Sequence, residues 1–147
     1  MYIRKFQESD LEATYQVRAS TRQNPLSKEQ LCEWGFTPES VLKGYKEGGT
    51  VGWVCEDNSK IVGFCSGNVI TGEVIVIALL PEYEARGLGK QLLTELICTM
   101  KENGVKKIWL SASPDPQIRA HGFYRANGWK PTGGFVENGD EILVYCG

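Results

Sequence analysis

The residues Ala85-Arg-Gly-Leu-Gly-Lys90 have the composition of an anion cradle. Glycine lets backbone N–H groups approach a ligand closely, and the first turn of a helix presents unpaired donors at the positive end of its dipole. A helix is expected directly afterwards, because Leu88, Leu92, Leu93, Leu96, Ile97 and Met100 recur at helical spacing. The two glycines therefore open a helix, and the anion suited to such a turn is a phosphate. An ordinary glycine-containing loop before an amphipathic helix has the same residue types. Two familiar phosphate motifs are excluded. A Walker loop follows Gly-Lys with Ser or Thr, whereas Lys90 is followed by Gln91; the dinucleotide fingerprint needs a third glycine where Gln91 and Leu92 stand. Upstream, Val74 to Leu80 is an unbroken apolar run rich in β-branched side chains, as in a strand buried on both faces, and Pro81 ends its ladder.

The segment Glu84-Ala85-Arg86-Gly87-Leu88-Gly89 resembles the acetyl-CoA signature of the GNAT superfamily of N-acetyltransferases, written Gln/Arg-x-x-Gly-x-Gly/Ala. Glu84 departs from its basic or amide first residue. Further on, Ala120-His-Gly-Phe-Tyr-Arg-Ala-Asn-Gly-Trp129 resembles the Ala-x-x-Phe-Tyr-x-x-x-Gly-Phe segment of the same superfamily. The two matches stand in the family's order and spacing. The resemblance extends over nearly the whole chain and is weakest from about Thr21 to Gly49.

What the resemblance implies can be stated residue by residue. The backbone of Ala85, Arg86, Gly87, Leu88, Gly89 and Lys90 would hold the acetyl-CoA diphosphate. The fourth and fifth strands of this fold splay apart, so that free backbone groups of Ile77, Ala78 and Leu79 would pair with the pantetheine arm, the Leu79 N–H serving as oxyanion donor. Tyr124 is the implied general acid for the departing thiolate, and Gln117 occupies the position of a family amide that contacts CoA. Glu73 lies fourteen residues before Gly87, the spacing of the catalytic glutamate in histone-type members. An extended strand rises roughly 3.3 Å per residue, placing Glu73 about 20 Å from Leu79, so a bulge or a water relay has to carry its influence. A solvated carboxylate at a strand start, with water chains as the base, is the alternative. His121, the only histidine, is expected on the surface or packed rather than catalytic, and Cys65 in the core. The acceptor pocket is expected between Thr21–Gly49 and the Gly133–Asp140 loop. There Trp34, Phe36, Glu29, Glu33, Glu39, Glu137 and Asp140 combine aromatics and carboxylates, which suits a cationic amine.

These residues need a scaffold, and the 147-residue length fits one domain, residues 1–147. Tyr2 to Phe6 alternates like a strand; Ser9 or Asp10 then caps a helix to about Arg22, with Leu11, Tyr15, Val17 and Ala19 facing inward. Ser27-Lys-Glu-Gln30 and Thr37-Pro-Glu-Ser40 each have the spacing that starts a short helix. Thr50–Glu56 and Lys60–Val69 form a hairpin through Asp57-Asn-Ser59. After the glycine-opened helix, ended by Asn103-Gly104, come a strand over Lys106–Ala112, a helix started by Pro114-Asp-Pro116 and stopped by Gly128, and strands over Trp129–Thr132 and Glu141–Tyr145. The order, β, α, α, β, β, β, α, β, α, β, β, is that of an α/β fold (α+β by some schemes). It matches the GNAT-like mixed, mostly antiparallel central sheet with helices on both faces.

Sixteen basic against eighteen acidic side chains, with no Lys/Arg run, leave no footprint for nucleic acid. No apolar run reaches the roughly 18 residues of a membrane span and no signal-peptide region opens the chain, so a cytoplasmic protein is expected. Five cysteines without paired spacing imply neither a disulfide framework nor a metal site. The function expected is an acetyl-CoA-dependent N-acetyltransferase in which a primary amine attacks directly, through a tetrahedral intermediate. A non-catalytic acyl-CoA sensor or an N-acyltransferase with a longer donor are the rivals. A homodimer is compatible with the family resemblance.

Overall fold

The computed structural model describes residues 1–22 and 24–147. Strand β1 (Tyr2–Lys5) leads through a single 3-10 turn into α1 (Leu11–Ala19), followed by α2 (Lys28–Glu33) and α3 (Pro38–Lys46). Among the described residues three helices precede the next strand, each near an expected start, whereas the expected element order counted two. Both short helices begin at reciprocal caps. The Ser27 hydroxyl accepts from the Gln30 N–H (3.1 Å) while the Gln30 side chain accepts from the Ser27 N–H (2.9 Å), and Thr37 and Ser40 do the same. Each cap satisfies two donors that the helix start would otherwise leave unpaired.

Helix α1 ends at Ala19, short of Arg22, because the chain doubles back and the Leu26 N–H donates to the Arg18 carbonyl at 3.1 Å. Leu11, Tyr15 and Val17 are buried as expected, but Ala19 is exposed. Neither Ser9 nor Asp10 caps α1 by a side-chain bond. The Asp10 carboxylate instead reaches back to the Gln7 N–H (2.8 Å) and takes both ends of the Arg4 guanidinium (2.9 Å each), whose Nη2 also meets Glu56.

The next strands, β2 (Thr50–Asp57) and β3 (Lys60–Asn68), form the expected hairpin, with Asn58 (φ 49°) and Ser59 (φ 65°) in the left-handed conformations of a type I′ turn. With β4 (Val74–Leu79) they build a four-stranded sheet, β1-β2-β3-β4, antiparallel throughout. Helix α4 (Leu88–Glu102) packs on one face, where Leu92, Leu96 and Met100 are fully buried with Cys65; α1 packs on the other, the face that carries Val54 and Phe64. The Trp53 indole N–H donates to Thr99 Oγ1 (2.8 Å), pinning α4 to β2. The second sheet, β5-β7-β6, comprises β5 (Trp109–Ala112), β6 (Trp129–Phe135) and β7 (Glu141–Tyr145), with α5 (Arg119–Ala126) between β5 and β6.

Strand β5 starts three residues later than expected, at Trp109, and β6 runs further, to Phe135. Helix α5 also starts late. Pro116 has no N–H and restrains Asp115, whose carboxylate accepts from the Gln117 N–H at 2.9 Å, so Pro114 to Ile118 forms a turn ahead of the helix. Gly128, at φ 91°, stops it as expected.

The two sheets meet at one parallel bridge, Glu73 with Trp109. Beyond it β4 and β5 diverge, as expected of the splayed fourth and fifth strands. This opening corrects the reading of β4 as buried on both faces: Ile75 is exposed and Val76, Ile77 and Leu79 are half-buried. The apolar run borders open space, so its composition alone could not tell a buried strand from one lining a cleft.

Candidate active site

The open edge of β4 is defined by hydrogen-bond alternation. The Leu80 N–H donates to the Val62 carbonyl (2.9 Å), and Phe64 is the partner of Ala78, so the backbone groups of Ala78 and Leu80 turn toward β3. Along an antiparallel strand the intervening residues turn the opposite way. The backbone groups of Ile77 and Leu79 therefore face the cleft. Of the three residues assigned to pantetheine pairing, these two point at it and Ala78 does not. A register shift opposite Ser66 and Gly67 inserts Ile75 as a bulge below them.

Above the cleft the chain makes one turn at Pro81–Tyr83, then reverses through Ala85 (φ 62°) and Gly87 (φ 79°), the N-cap of α4. Two left-handed residues alternating with others turn successive N–H groups inward, and the N–H groups of Ala85 through Lys90 have no acceptor among the described residues. No acidic residue stands in the first turn of α4 to oppose an anion. The nest is braced from outside: the Arg86 guanidinium lies 4.9 Å from the Tyr83 ring centroid, and the Tyr83 hydroxyl donates to Asp57 (2.6 Å).

Glu84 is not idle at its unusual position. Its carboxylate takes Arg22 Nε at 3.0 Å and lies 3.8 Å from Arg119 Nη1. An acid where the signature has a basic or amide residue thus gathers two guanidiniums, from the chain after α1 and from the start of α5, at the lip of the nest. Sequence reasoning missed both arginines; the only signal was the misplaced acid itself.

Gly89, Leu79 and Phe123 converge. A methyl placed on Gly89 would lie 3.5 Å from the Phe123 ring and 3.6 Å from Leu79 Cδ1, so the end of β4, the start of α4 and α5 touch here. Tyr124 follows Phe123 and packs edge-on against it and against Trp129, at 5.4 and 5.9 Å between centroids. Burial pushes the Tyr124 phenol up to about 12, and its hydroxyl has no hydrogen-bond partner among the described residues. Gln117 is exposed in the turn before α5, with no side-chain contact that ties it to the cleft.

Glu73 sits at the closed end of the splay, in the bridge to Trp109, with β4 between it and Leu79. Its carboxylate has no partner among the described residues, and burial raises its pKa above the ordinary value. His121 stands beside Glu141 at 4.0 Å, and Arg125 holds that carboxylate with Nη2 bonds of 2.8 and 2.9 Å; the histidine is packed, as expected. Cys65 is core: its thiol donates to the Leu92 carbonyl (3.4 Å) and burial pushes it up to about 12.

A cavity of about 460 Å³ lies between α1, the α2–α3 segment and the face of β3 and β4. Tyr15, Trp34, Phe36, Phe64, Ile75 and Val76 are among its walls, and Asn68, whose N–H donates to the Glu73 carbonyl (2.8 Å), lines it near the foot of β4. The Tyr15 hydroxyl donates to the Phe36 carbonyl (2.8 Å), tying α1 to the chain between α2 and α3. Trp34 and Phe36 line the cavity as expected, but none of Glu29, Glu33, Glu39, Glu137 or Asp140 does. Glu29, Glu33 and Glu39 lie on exposed positions of the short helices α2 and α3, and Glu137 and Asp140 lie in the loop between β6 and β7. A second hollow, walled by Arg4, Asp10, Glu56 and Lys60, is polar and meets neither the nest nor α5. Among the described residues no helix is long and apolar enough to cross a membrane.

A sheet splayed at β4 and β5, with an anion nest at the mouth of the splay, is the architecture of acyl-CoA-dependent transferases. The chain belongs to the acetyltransferase (GNAT) family, whose model matches residues 9–129. The ribosomal protein bS18-alanine N-acetyltransferase of Haemophilus influenzae is 29% identical over 119 residues, spanning 80% of this chain and 74% of that protein. PaiA N-acetyltransferase from Thermoplasma acidophilum, solved in complex with coenzyme A, superposes with a TM-score of 0.80 at 23% identity, covering 99% of this chain and 98% of that one. The ribosomal-protein-S18-alanine N-acetyltransferase from Escherichia coli gives 0.72 at 22% identity, covering 98% and 92%. At such identities the solved structures speak for the fold alone.

Proposed function

We propose that the chain, as one N-acetyltransferase domain, moves the acetyl group of acetyl-CoA to a primary amine. The observation that carries this reading is the continuity of free backbone groups, from Ile77 and Leu79 on the β4 edge to the N–H groups of Ala85–Lys90. That track suits a ligand with amides at one end and a diphosphate at the other. As part of this reading the protein works in the cytoplasm, without nucleic acid or metal.

When bound, the thioester supplies the electrophilic carbonyl. The chain's own contributions are then four. The nest neutralises the diphosphate, with Arg22, Arg86 and Arg119 around it. The Leu79 N–H donates to the carbonyl oxygen as negative charge grows there, a hydrogen bond worth most when it is already aimed. Tyr124, one residue from the Phe123 contact with Leu79 and Gly89, attends the departing sulfur. A phenol at about 12 is a weaker acid than a thiol near 8.5, so complete proton transfer would run uphill by roughly 5 kcal/mol. Tyr124 therefore serves as a hydrogen-bond donor that strengthens as charge builds on sulfur. Glu73, with its raised pKa, takes the proton of the incoming ammonium by way of water, since an alkylamine near 10 is protonated at neutral pH.

Amine-dependent acetylation read by mass spectrometry, with acetyl-CoA binding measured by calorimetry, tests the proposal. Micromolar binding together with transfer to an amine is expected. Absence of binding would sink it, and binding without transfer to any amine would favour the non-catalytic sensor. Turnover with longer acyl donors in preference to acetyl-CoA would favour the acyltransferase.

A further inference from the structure

The cavity beneath α1 to α3 has a chemistry that the reaction alone does not dictate. Its walls are mostly apolar, and among the described residues that line it the single charge is Arg18 on α1. Thr14, Ser40, Thr50, Ser66 and Asn68 add neutral polar groups. A polyamine or an aminoglycoside would bring several positive charges into a site that has a guanidinium and no carboxylate, a mismatch of sign and of solvation.

Arg18 is half-buried and partly committed. Its Nη1 donates to the Asn24 carbonyl at 2.7 Å and to Thr21 Oγ1 at 3.4 Å, which orients the fork. Its Nε and Nη2 have no acceptor among the described residues. Burial lowers its pKa from the ordinary value, the signature of a cation short of solvent and counter-charge. A planar fork with two free donors matches a carboxylate in geometry as well as in charge.

We propose that the acceptor is a small primary amine with an apolar or aromatic body and a carboxylate, amino-acid chemistry, whose carboxylate pairs with Arg18 while its body fills the cavity. This rests on the acetyl-transfer reading above. The volume of about 460 Å³ is in the range of small-ligand sites. Its inner wall is β4 at Ile75 and Val76, adjoining the Ile77–Leu79 backbone where the acetyl group is presented. The exposed rings of Trp34 and Phe36 stand at its rim. In the step itself the ammonium first gives up one proton to Glu73 by way of water. The amine nitrogen then forms a bond to the thioester carbonyl carbon, the carbon–sulfur bond breaks, and the second proton lost by nitrogen passes through solvent to the thiolate, so that the products are the N-acetyl acid and CoA thiol.

The test compares acids with their own amides. Phenylalanine, leucine and methionine are assayed beside their primary amides with acetyl-CoA, per concentration of free amine, together with spermidine, an aminoglycoside and a peptide amide with N-terminal alanine. At least one acid is expected to exceed its amide in kcat/KM by about tenfold or more, the effect of a charge-assisted hydrogen bond. Spermidine should fall below both. Arg18→Gln should shrink the acid-to-amide ratio to about twofold, acting through KM; the ratio is internal to each protein, so loss of folded material cannot mimic it. Equal use of acid and amide, preference for the polycations or the peptide, or an unchanged ratio in Arg18→Gln would overturn the inference. Calorimetry on the same samples separates the failures: acetyl-CoA binding without turnover of any acid overturns this inference alone, whereas no binding overturns both readings.

Discussion

The two faces of β4 do different work with different materials. At its open edge the groups left facing outward are those of the backbone, at Ile77, Leu79 and Ala85–Lys90, and what matters is where glycine and strand pairing put them. Below its surface, under α1 to α3, the cavity is built from side chains scattered between Phe6 and Val76. A site made of backbone tolerates drift in side chains so long as the turn survives. A side-chain site changes with each substitution. The same fold can therefore keep one cofactor while its acceptors diverge.

The largest effect that would break this contrast is at Gly87. Gly87→Glu puts a non-glycine residue at φ 79° and a carboxylate at the mouth of the nest. Acetyl-CoA affinity should fall at least about thirtyfold by calorimetry, from roughly 1–2 kcal/mol of left-handed strain with charge repulsion added. Retained affinity would mean that the nest does not hold the diphosphate. Tyr124→Phe comes next. Turnover should drop about a hundredfold, within the range for loss of one hydrogen-bond donor aimed at developing charge, while acetyl-CoA affinity stays within about twofold. Unaltered turnover would remove Tyr124 from the chemistry.

Glu73→Gln sharpens the contrast at the foot of β4. A base acts deprotonated, and burial raises this carboxyl, so wild-type kcat/KM should lose activity as pH falls through a value above the ordinary carboxylate range. The variant should be about tenfold slower at neutral pH and lack that limb; a superimposable profile would assign the base to water alone.

Stability should answer to Asp10, which holds the roof of the cavity to β1. Desolvation pushes its pKa up, but the Arg4 hydrogen bonds, the Gln7 N–H and the Arg4 charge outweigh it and leave the pKa lowered. A lowered folded pKa gives stability that is complete above the unfolded value of about 3.9 and lost as pH falls through the folded one. The melting temperature should therefore decline below about pH 4, and Asp10→Asn should cost about 2 kcal/mol at neutral pH, flattening that decline. The smallest effect is at Ala85, a left-handed alanine at φ 62°. Ala85→Gly should raise stability by about 0.5 kcal/mol, relief of strain offset by greater freedom of the unfolded chain.

What could be read from the sequence follows the same division. The strand, turn and helix around Gly87, the caps at Ser27 and Thr37 and the hairpin at Asn58 are local, each decided within a few residues. The resemblance to the family supplied the splay. The length of α5 was misjudged because two prolines that look like a helix start instead hold a turn. The role of Glu84 was invisible, since its arginines come from 62 residues before and 35 after it in the chain. The cavity's sign was misjudged for a related reason: carboxylates near Trp34 in sequence point to solvent, and Arg18 reaches the interior from a helix that reads as ordinary. Contacts across the sheet leave no local pattern to read.

An unpaired strand edge is also an invitation to other strands, the usual starting point of aggregation. Here the invitation is brief. The bulge at Ile75 interrupts pairing on one side and Pro81 forbids it on the other, so the open stretch is confined to the region of Ile77 and Leu79. That length suits a ligand with two amides and is too short for a polypeptide strand, which needs several consecutive partners to hold. The open stretch thus has room for a short ligand of this kind while giving a further strand little to pair with.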